Sequence, residues 1–262
     1  MHVFLSPHLD DAVLSCGGLI YQLTQRREPV MIVTVMAGDP PNPVPDSPIV
    51  RDLHQRWAIG ESPVVVRRRE DVASAQRVGA QVQHREYPDS VYRTYQGQAL
   101  YPTEQSIFGE VHPDDVTSKS LAIESTLFRF VYMGIQTLYA PLGVGHHVDH
   151  QIVRDWALDI RRYHPTLKLT FYEEYPYTRD VTAIQRALDW MKPRQALVPE
   201  VHTLTQADVN AKVDAVACYQ SQISTFWKSE EAMRRDIEGA FCIGGGVYAE
   251  RCWNAVNEGS KS

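Results

Sequence analysis

Apolar positions along the chain recur in two forms. A short run, Val3-Phe4-Leu5, is closed by Ser6-Pro7. From Asp11 onward, Ala12, Val13, Cys16, Leu19, Ile20 and Leu23 fall at helical spacing. Val30 to Met36 is then a continuous apolar run rich in β-branched side chains, the form taken by a parallel strand buried on both faces. Strand, helix and strand over residues 3–36 predict a βαβ unit with a right-handed crossover. The alternation continues with a helix over 64–79 closed by Gly79 and a strand from Gln81 to Tyr87. Asp114-Asp115 caps a predicted helix running to about Met133, and Thr137–Ala140 reads as a strand. Residues His147 to about Tyr163 form an amphipathic helix, with Ile152, Val153, Trp156, Ala157 and Ile160 on one side, and Lys168–Tyr172 is a further strand. The C-terminal third shows helical patterns near 180–191 and 206–223 and a last strand-like stretch, Gly246–Trp253.

Two stretches lack any such period. Residues 37–48 hold Pro40, Pro41, Pro43, Pro45 and Pro48 and read as loop. Residues 88–113 carry Tyr92, Tyr95 and Tyr101 without a repeat and read as a long loop, a type that is often functional in compact domains. Strands alternating with helices over residues 1–262 predict one α/β domain with a mainly parallel sheet. Ligands of such sheets sit beyond the carboxyl ends of the strands. Chemistry is therefore expected in the loops after the first strand, residues 6–11, and after Ala140.

Composition narrows the function. With 262 residues, 44% of them hydrophobic, the chain can bury a large core, which excludes a disordered or fibrous protein. No apolar run approaches the ~18 residues of a membrane span, and the start MHVFLSPHLDD lacks the basic and apolar regions of a signal peptide. The 26 Lys and Arg against 32 Asp and Glu leave a net charge of −6, unsuited to neutralising nucleic-acid phosphates. Cys16, Cys218, Cys242 and Cys252 form no C-x-x-C pair. That argues against a disulfide framework or a thiolate zinc site and for a reducing, cytoplasmic compartment. The state of assembly stays open, a homo-oligomer included.

Both candidate loops hold metal-ligand types: Pro7-His8-Leu9-Asp10-Asp11 in one, Gly145-His146-His147-Val148-Asp149-His150 in the other. Catalytic zinc takes three protein ligands and leaves a position for water. His8 and Asp11, three apart at a helix entrance, can face one ion; His150 can supply the third ligand, which leaves Asp10 beside the ion as a general base. His147 and His150 share a helix face, so one can bind metal while the other faces substrate. Asp10-Asp11 taken alone reads as a helix cap, and the histidines taken alone read as solvated polar residues at another helix start. Their joint placement at two strand ends is what points to a metal. Gly17-Gly18 inside the first helix costs about 1 kcal/mol per residue against alanine and calls for close approach of another backbone. Gly244-Gly245-Gly246 lacks the Lys-Ser/Thr of a phosphate loop and precedes a strand, so it is set aside. Tyr172–Tyr177 ends a strand and is a candidate pocket wall. His2, His54, His84, His112, His164 and His202 are isolated and read as structural.

The segment PHLDDAVLSCGG at 7–18 with HVDH at 147–150 resembles the PIG-L / LmbE-like zinc-dependent N-deacetylases. Arg67-Arg68-Arg69-Glu70 with Ala73, Ala75 and Gly79 is similar to that family's R-x-x-E helix, Tyr87-Pro88-Asp89 to its strand-end aspartate, and Lys212, Ala215 and Tyr219–Gln222 to its late K-x-x-A…SQ helix. The resemblance spans about residues 3–225 and is weak near 37–63 and 90–113. It implies a Rossmann-like three-layer α/β sandwich with one zinc ion per chain held by His8, Asp11 and His150. It further implies Asp10 as base, a cationic His147 at the oxyanion, oriented by Asp149, and Arg67 on the substrate. His146 has no role in it. The pocket walls would come from loops near 37–63 and 88–113, and the substrate would be a small N-acetylated sugar-type molecule. Two other readings use the same residues. His8-x-Asp10 with a distal histidine matches the ligand set of a non-haem iron(II) oxygenase. A nucleotide-binding Rossmann domain would need glycines where His8-Leu9-Asp10-Asp11 stands.

Overall fold

The computed structural model describes residues 1–57 and 63–256. The chain runs β1 (His2–Ser6), α1 (Asp11–Gln25), β2 (Val30–Thr34), α2 (Pro48–Trp57), α3 (Pro63–Arg77), β3 (Gln81–His84), α4 (Thr117–Glu124), β4 (Thr137–Pro141), α5 (Val148–Tyr163), β5 (Lys168–Tyr172), α6 (Val181–Met191), β6 (Leu197–Leu204), α7 (Gln206–Val216), α8 (Gln220–Phe226), α9 (Glu230–Phe241) and β7 (Val247–Ala255). The main sheet has the order β3-β2-β1-β4-β5-β7-β6. The five strands from β3 to β5 pair in parallel; β7 is antiparallel to both of its neighbours. The expected α/β class with a mainly parallel sheet is thus the observed one.

Period-2 alternation divides the core. Phe4, Ile32, Tyr139 and Tyr172 face a layer built from α1, α3, α7, α8 and α9. Val3, Leu5, Val33, Leu138, Ala140, Leu169 and Phe171 face α4, α5 and α6. A third cluster, among it Leu9, Ile49, Val50, Val91, Tyr101, Ile107 and Val148, roofs the carboxyl ends of the parallel strands. Chain order reverses between β1 and β4, where such sheets open a crevice. The loops leaving those two strands are the two histidine-bearing segments.

Several expected elements differ. The proline-rich loop stops at Pro48, which begins α2; proline at a first helical position loses no intrahelical bond. The 88–113 loop contains a 3-10 turn (Ser90–Tyr92), a small hairpin (Thr94–Tyr95 with Gln98–Ala99) and one helical turn (Glu104–Ile107). The helix expected from Asp114 to Met133 is broken into α4, a 3-10 turn and a single turn at Phe128–Val131. The pattern at 206–223 is two helices separated at Ala217–Tyr219. Strand β6 and helix α9 had no counterpart among the predicted elements.

Gly17 and Gly18 have a reason other than an approaching backbone. Helix α1 kinks at Cys16 (φ −125°, ψ 16°), which frees main-chain groups. The buried Glu250 carboxylate accepts the N–H groups of Gly18 at 3.0 Å and Leu19 at 2.8 Å. Lys212, also buried, donates to Ser15 O at 3.1 Å and to Glu250 at 2.7 Å. A Cβ on Gly17 would lie 2.9 Å from the Lys212 stem, and one on Gly18 would lie 2.6 Å from Leu204. The glycines make room for side chains that cap the kink. The four cysteines are unpaired, and among the described residues no helix is long and apolar enough to cross a membrane. Removing one partner of a buried ion pair strands the other charge. Glu250→Leu should therefore lower unfolding free energy by about 3–5 kcal/mol in urea titration, and the double change with Lys212→Met should recover part of that loss.

Candidate metal and catalytic site

The turn after β1 is tied by Ser6, whose Oγ donates to His8 O at 2.6 Å and accepts Ala12 N–H at 3.0 Å. It carries His8, Asp10 and Asp11 into the crevice. Asp10 stands at the N-cap position of α1 yet makes no capping side-chain bond, so its carboxylate is not spent on the helix. Across the switch point, His147 caps α5: its Nδ1 accepts Asp149 N–H at 3.2 Å.

Asp11 Oδ2 is the centre of the arrangement. His8 Nδ1 lies 3.2 Å from it and His150 Nε2 3.3 Å. Each imidazole is braced at its far nitrogen, His8 Nε2 by Asp149 Oδ2 at 3.0 Å and His150 Nδ1 by Glu174 Oε1 at 3.2 Å. Tetrahedral zinc with ligands at about 2.0–2.1 Å has ligand–ligand edges of about 3.3–3.4 Å, so these separations suit one ion held by three ligands. His150 Nε2 is a buried nitrogen without a hydrogen-bond partner. With Nδ1 committed to Glu174, that nitrogen presents a lone pair to the site, the usual arrangement around a metal-binding histidine. Residues and group therefore fit. Ligand atoms of His8, His147 and His150 also lie within 4.8 Å of one another, as do those of His8, Asp89 and Asp149.

Charge agrees with the geometry. Burial opposes ionisation of Asp11, but His150 and His8 outweigh it and hold the carboxyl well below its usual range. Burial likewise disfavours protonated His150, yet Asp11 and Glu174 push that imidazole up to about 9. Carboxylates that attract a proton so strongly attract a divalent cation in its place. Burial, with Asp11 alongside and Arg67 opposing, pushes Asp10 up to about 6, which suits a group that must both take and return a proton. Its carboxylate lies 3.6 Å from Arg67 Nη2.

The geometry adds to one implied role and bears on the charge of another. Asp149 orients His147 through its backbone N–H; its carboxylate serves His8 instead and is held by Arg93 and by Ser90 N–H at 3.0 Å. Burial, then His8, depress the His147 imidazole well below its ordinary value. With Nδ1 accepting a bond and burial opposing ionisation, the surroundings favour a neutral His147 with its proton on Nε2 over the cation that the resemblance implies. The His8-x-Asp10 iron set finds no support, since Asp11 stands between the two histidines. Carboxylates occupy the place a nucleotide phosphate would need. His146, at positive φ (65°), pairs with Glu110 on the outside.

A cavity of about 350 Å³ opens over the site, with Asp10, Arg67 and His147 in its lining. Ile49 and Leu53 of α2, Ile107 and Phe108 of the 88–113 segment and Phe226 of α8 are among its apolar walls. Of the Tyr172–Tyr177 stretch, Tyr177 lines this cavity, whereas Tyr172 and Tyr175 are core residues. The late motifs meet the early ones: Glu70 accepts Ser221 N–H at 2.8 Å, and Gln222 reaches the cavity. Glu174 and Arg93 escaped the sequence reading. Glu174 also accepts Gly143 N–H at 2.7 Å and Val144 N–H at 3.1 Å; the only sequence signal for it was a pair of glutamates at a strand end.

Residues 3–161 match the family described as PIG-L, GlcNAc-PI de-N-acetylase. The chain belongs to the PIG-L family. A 2'-N-acetylparomamine deacetylase of Niallia circulans is 30% identical over 67% of this chain and 66% of its own length. Among solved PIG-L-like structures, a deacetylase–teicoplanin complex from the teicoplanin biosynthesis pathway has a TM-score of 0.79 at 25% identity, covering 97% of this chain and 98% of that one. The zinc-inhibited form of the teicoplanin deacetylase Orf2 gives 0.81 at 24% identity over 99% of both chains. Loss of a carboxylate bracing a metal-binding histidine costs metal affinity about 10–100-fold. Glu174→Gln should show that loss in chelator competition.

Proposed function

We propose that this PIG-L protein is a metal-dependent N-deacetylase that removes an acetyl group from an amino sugar or sugar-containing metabolite and releases acetate and a free amine. The observation that carries the reading is Asp11 Oδ2 flanked by His8 Nδ1 and His150 Nε2, both braced from behind, with Asp10 open to the same cavity. We assign His8, Asp11 and His150 to one zinc ion per chain. The ion supplies Lewis acidity, lowering the pKa of water and polarising the amide carbonyl.

The chain's own residues do the rest. Asp10 accepts the proton of the attacking water and returns it to the departing nitrogen, which a carboxyl poised near pH 6 can do in both directions. Negative charge grows on the former carbonyl oxygen, and His147 donates its Nε2–H there. A neutral donor serves because its gain rises with the charge of the transition state. Arg67 anchors the substrate beside Asp10. Phe108, Phe226 and Tyr177 offer ring faces of the kind that pack on sugars. A carboxylate-lined cavity in an acidic chain agrees with a small-molecule substrate and against nucleic acid. Four free thiols agree with a cytoplasmic location.

Acetate release should be measured with N-acetylglucosamine derivatives, acetylated glycopeptides and thiol-linked N-acetyl sugars, before and after chelation and metal repletion. Release from at least one class that vanishes on chelation and returns with metal is expected; turnover indifferent to chelation would overturn the reading. Asp10→Asn should retain the ion while kcat falls about 10²–10⁴-fold. His147→Ala should also retain it, with kcat down about 10²–10³-fold. Metal loss in the His147 variant would exchange the roles of His147 and His150.

A further inference from the structure

A second cavity, of about 400 Å³, lies on the other side of the Gly143–His146 loop and shares Phe108 with the catalytic one. Its lining includes His146, Arg154, Arg186 and Trp190. Among the described residues that line it there is no carboxylate. Arg154 sits one turn beyond His150 on α5 and is 1% exposed. Its Nε donates to Asp155 at 2.9 Å, and its guanidinium stacks on Trp190, with the central carbon 3.2 Å from the ring centroid. Nη1 lies 2.6 Å from where a Cβ at position 143 would stand, so only glycine admits it. Nη2 is buried and has no acceptor.

More positive charge surrounds this orphaned donor. Arg194 also stacks on Trp190, at 3.6 Å. Arg186, from α6, is 68% exposed at its side chain, where it pairs with Asp180 at 2.9 Å and bonds Thr182 at 2.7 Å. Solvent-exposed pairs of that kind are weak, so the guanidinium is available to share. Arg154 lines a pocket that no carboxylate lines among the described residues, and its guanidinium keeps an unpaired N–H beneath the surface; such a cation is the complement of an oxyanion, which takes short charge-assisted bonds from arginine.

We propose that this cavity is an oxyanion site that takes a phosphate or carboxylate group, with the Arg154 guanidinium as its charged floor and Arg186 and His146 at its mouth. The site adjoins the catalytic machinery: Gly143, packed on Arg154, donates its N–H to Glu174, which braces His150. The anion belongs either to the remote end of the substrate or to a separate small metabolite.

The test is calorimetric titration of the metal-loaded protein with inorganic phosphate, and it is independent of any deacetylase activity. Saturable binding is expected, abolished in Arg154→Gln and weakened about tenfold in Arg186→Gln, with metal content unchanged in both. The second variant keeps the test decisive should the first fail to fold, since Arg186 is at the surface. No saturable binding, or binding that survives Arg186→Gln undiminished and so reports phosphate on the metal, overturns the proposal. Phosphate that raises KM alone identifies the substrate's own anion as occupant, and phosphate that alters kcat at saturating substrate identifies a separate metabolite; either result supports the site.

Discussion

The structure depends on holding two imidazoles and three carboxylates, all buried except the half-buried His8, at fixed spacing around Asp11. Unpaired, such groups would be prohibitively costly to take out of water. Each carboxylate is therefore satisfied from more than one direction. Asp149 takes Ser90 N–H, Arg93 and His8. Glu174 takes main-chain N–H groups of the 142–144 turn together with His150. Asp11 takes the main-chain N–H of His8 at 2.8 Å and lies within 3.3 Å of a nitrogen of each ring. These partners come from the loops after β1, β3, β4 and β5, so the clamp can close only when the parallel strands are assembled in register. Placing the site at the switch point is a consequence of that order, because only there do successive strand ends diverge far enough to leave room for a ligand.

How much of this could be read from the chain follows from where the information lies. The β1–α1–β2 and β4–α5–β5 units were legible, since parallel strands buried on both faces give unbroken apolar runs and helices between them keep a clean period. Strand β6 was not. It is an edge strand paired only to β7, mostly exposed, and interrupted by Pro199, which an edge tolerates but which erases the strand pattern. Helix α9 buries only Met233 and Ile237, too few apolar positions to define a face. The division of α7 from α8 has no glycine or proline to announce it.

The same distinction holds within the site. His8, Asp10, Asp11, His147 and His150 lie in two compact segments and declare themselves by residue type. Glu174 does not, because its neighbour Glu173 has the same chemistry and an opposite fate, paired to Arg251 and Trp253 near the surface. Arg93 is one of many arginines, and only the fold shows that it neutralises Asp149. The second task of Asp149 was hidden for a related reason: the first turn of α5 sends its carboxylate toward His8 and leaves the main-chain N–H for His147.

The two cavities divide this chain's chemistry by charge. Around Asp11, carboxylates outnumber cations, a balance that suits the divalent metal proposed there. Behind the Gly143–His146 loop, arginines stack on Trp190 without a lining carboxylate among the described residues. A single turn of α5 separates His150 from Arg154, and a single carboxylate, Glu174, spans from the loop packed on Arg154 to the ring of His150. Displacing that loop by a few tenths of an ångström would lengthen the Gly143–Glu174 bond and with it the brace on His150. Rigid packing of this kind transmits small shifts because the interior has little free volume to absorb them. Gly143 and Gly145 both adopt positive φ and pack directly on Arg154 and Tyr177. The loop is thus held between a side chain of each cavity, Arg154 on one side and Tyr177 on the other.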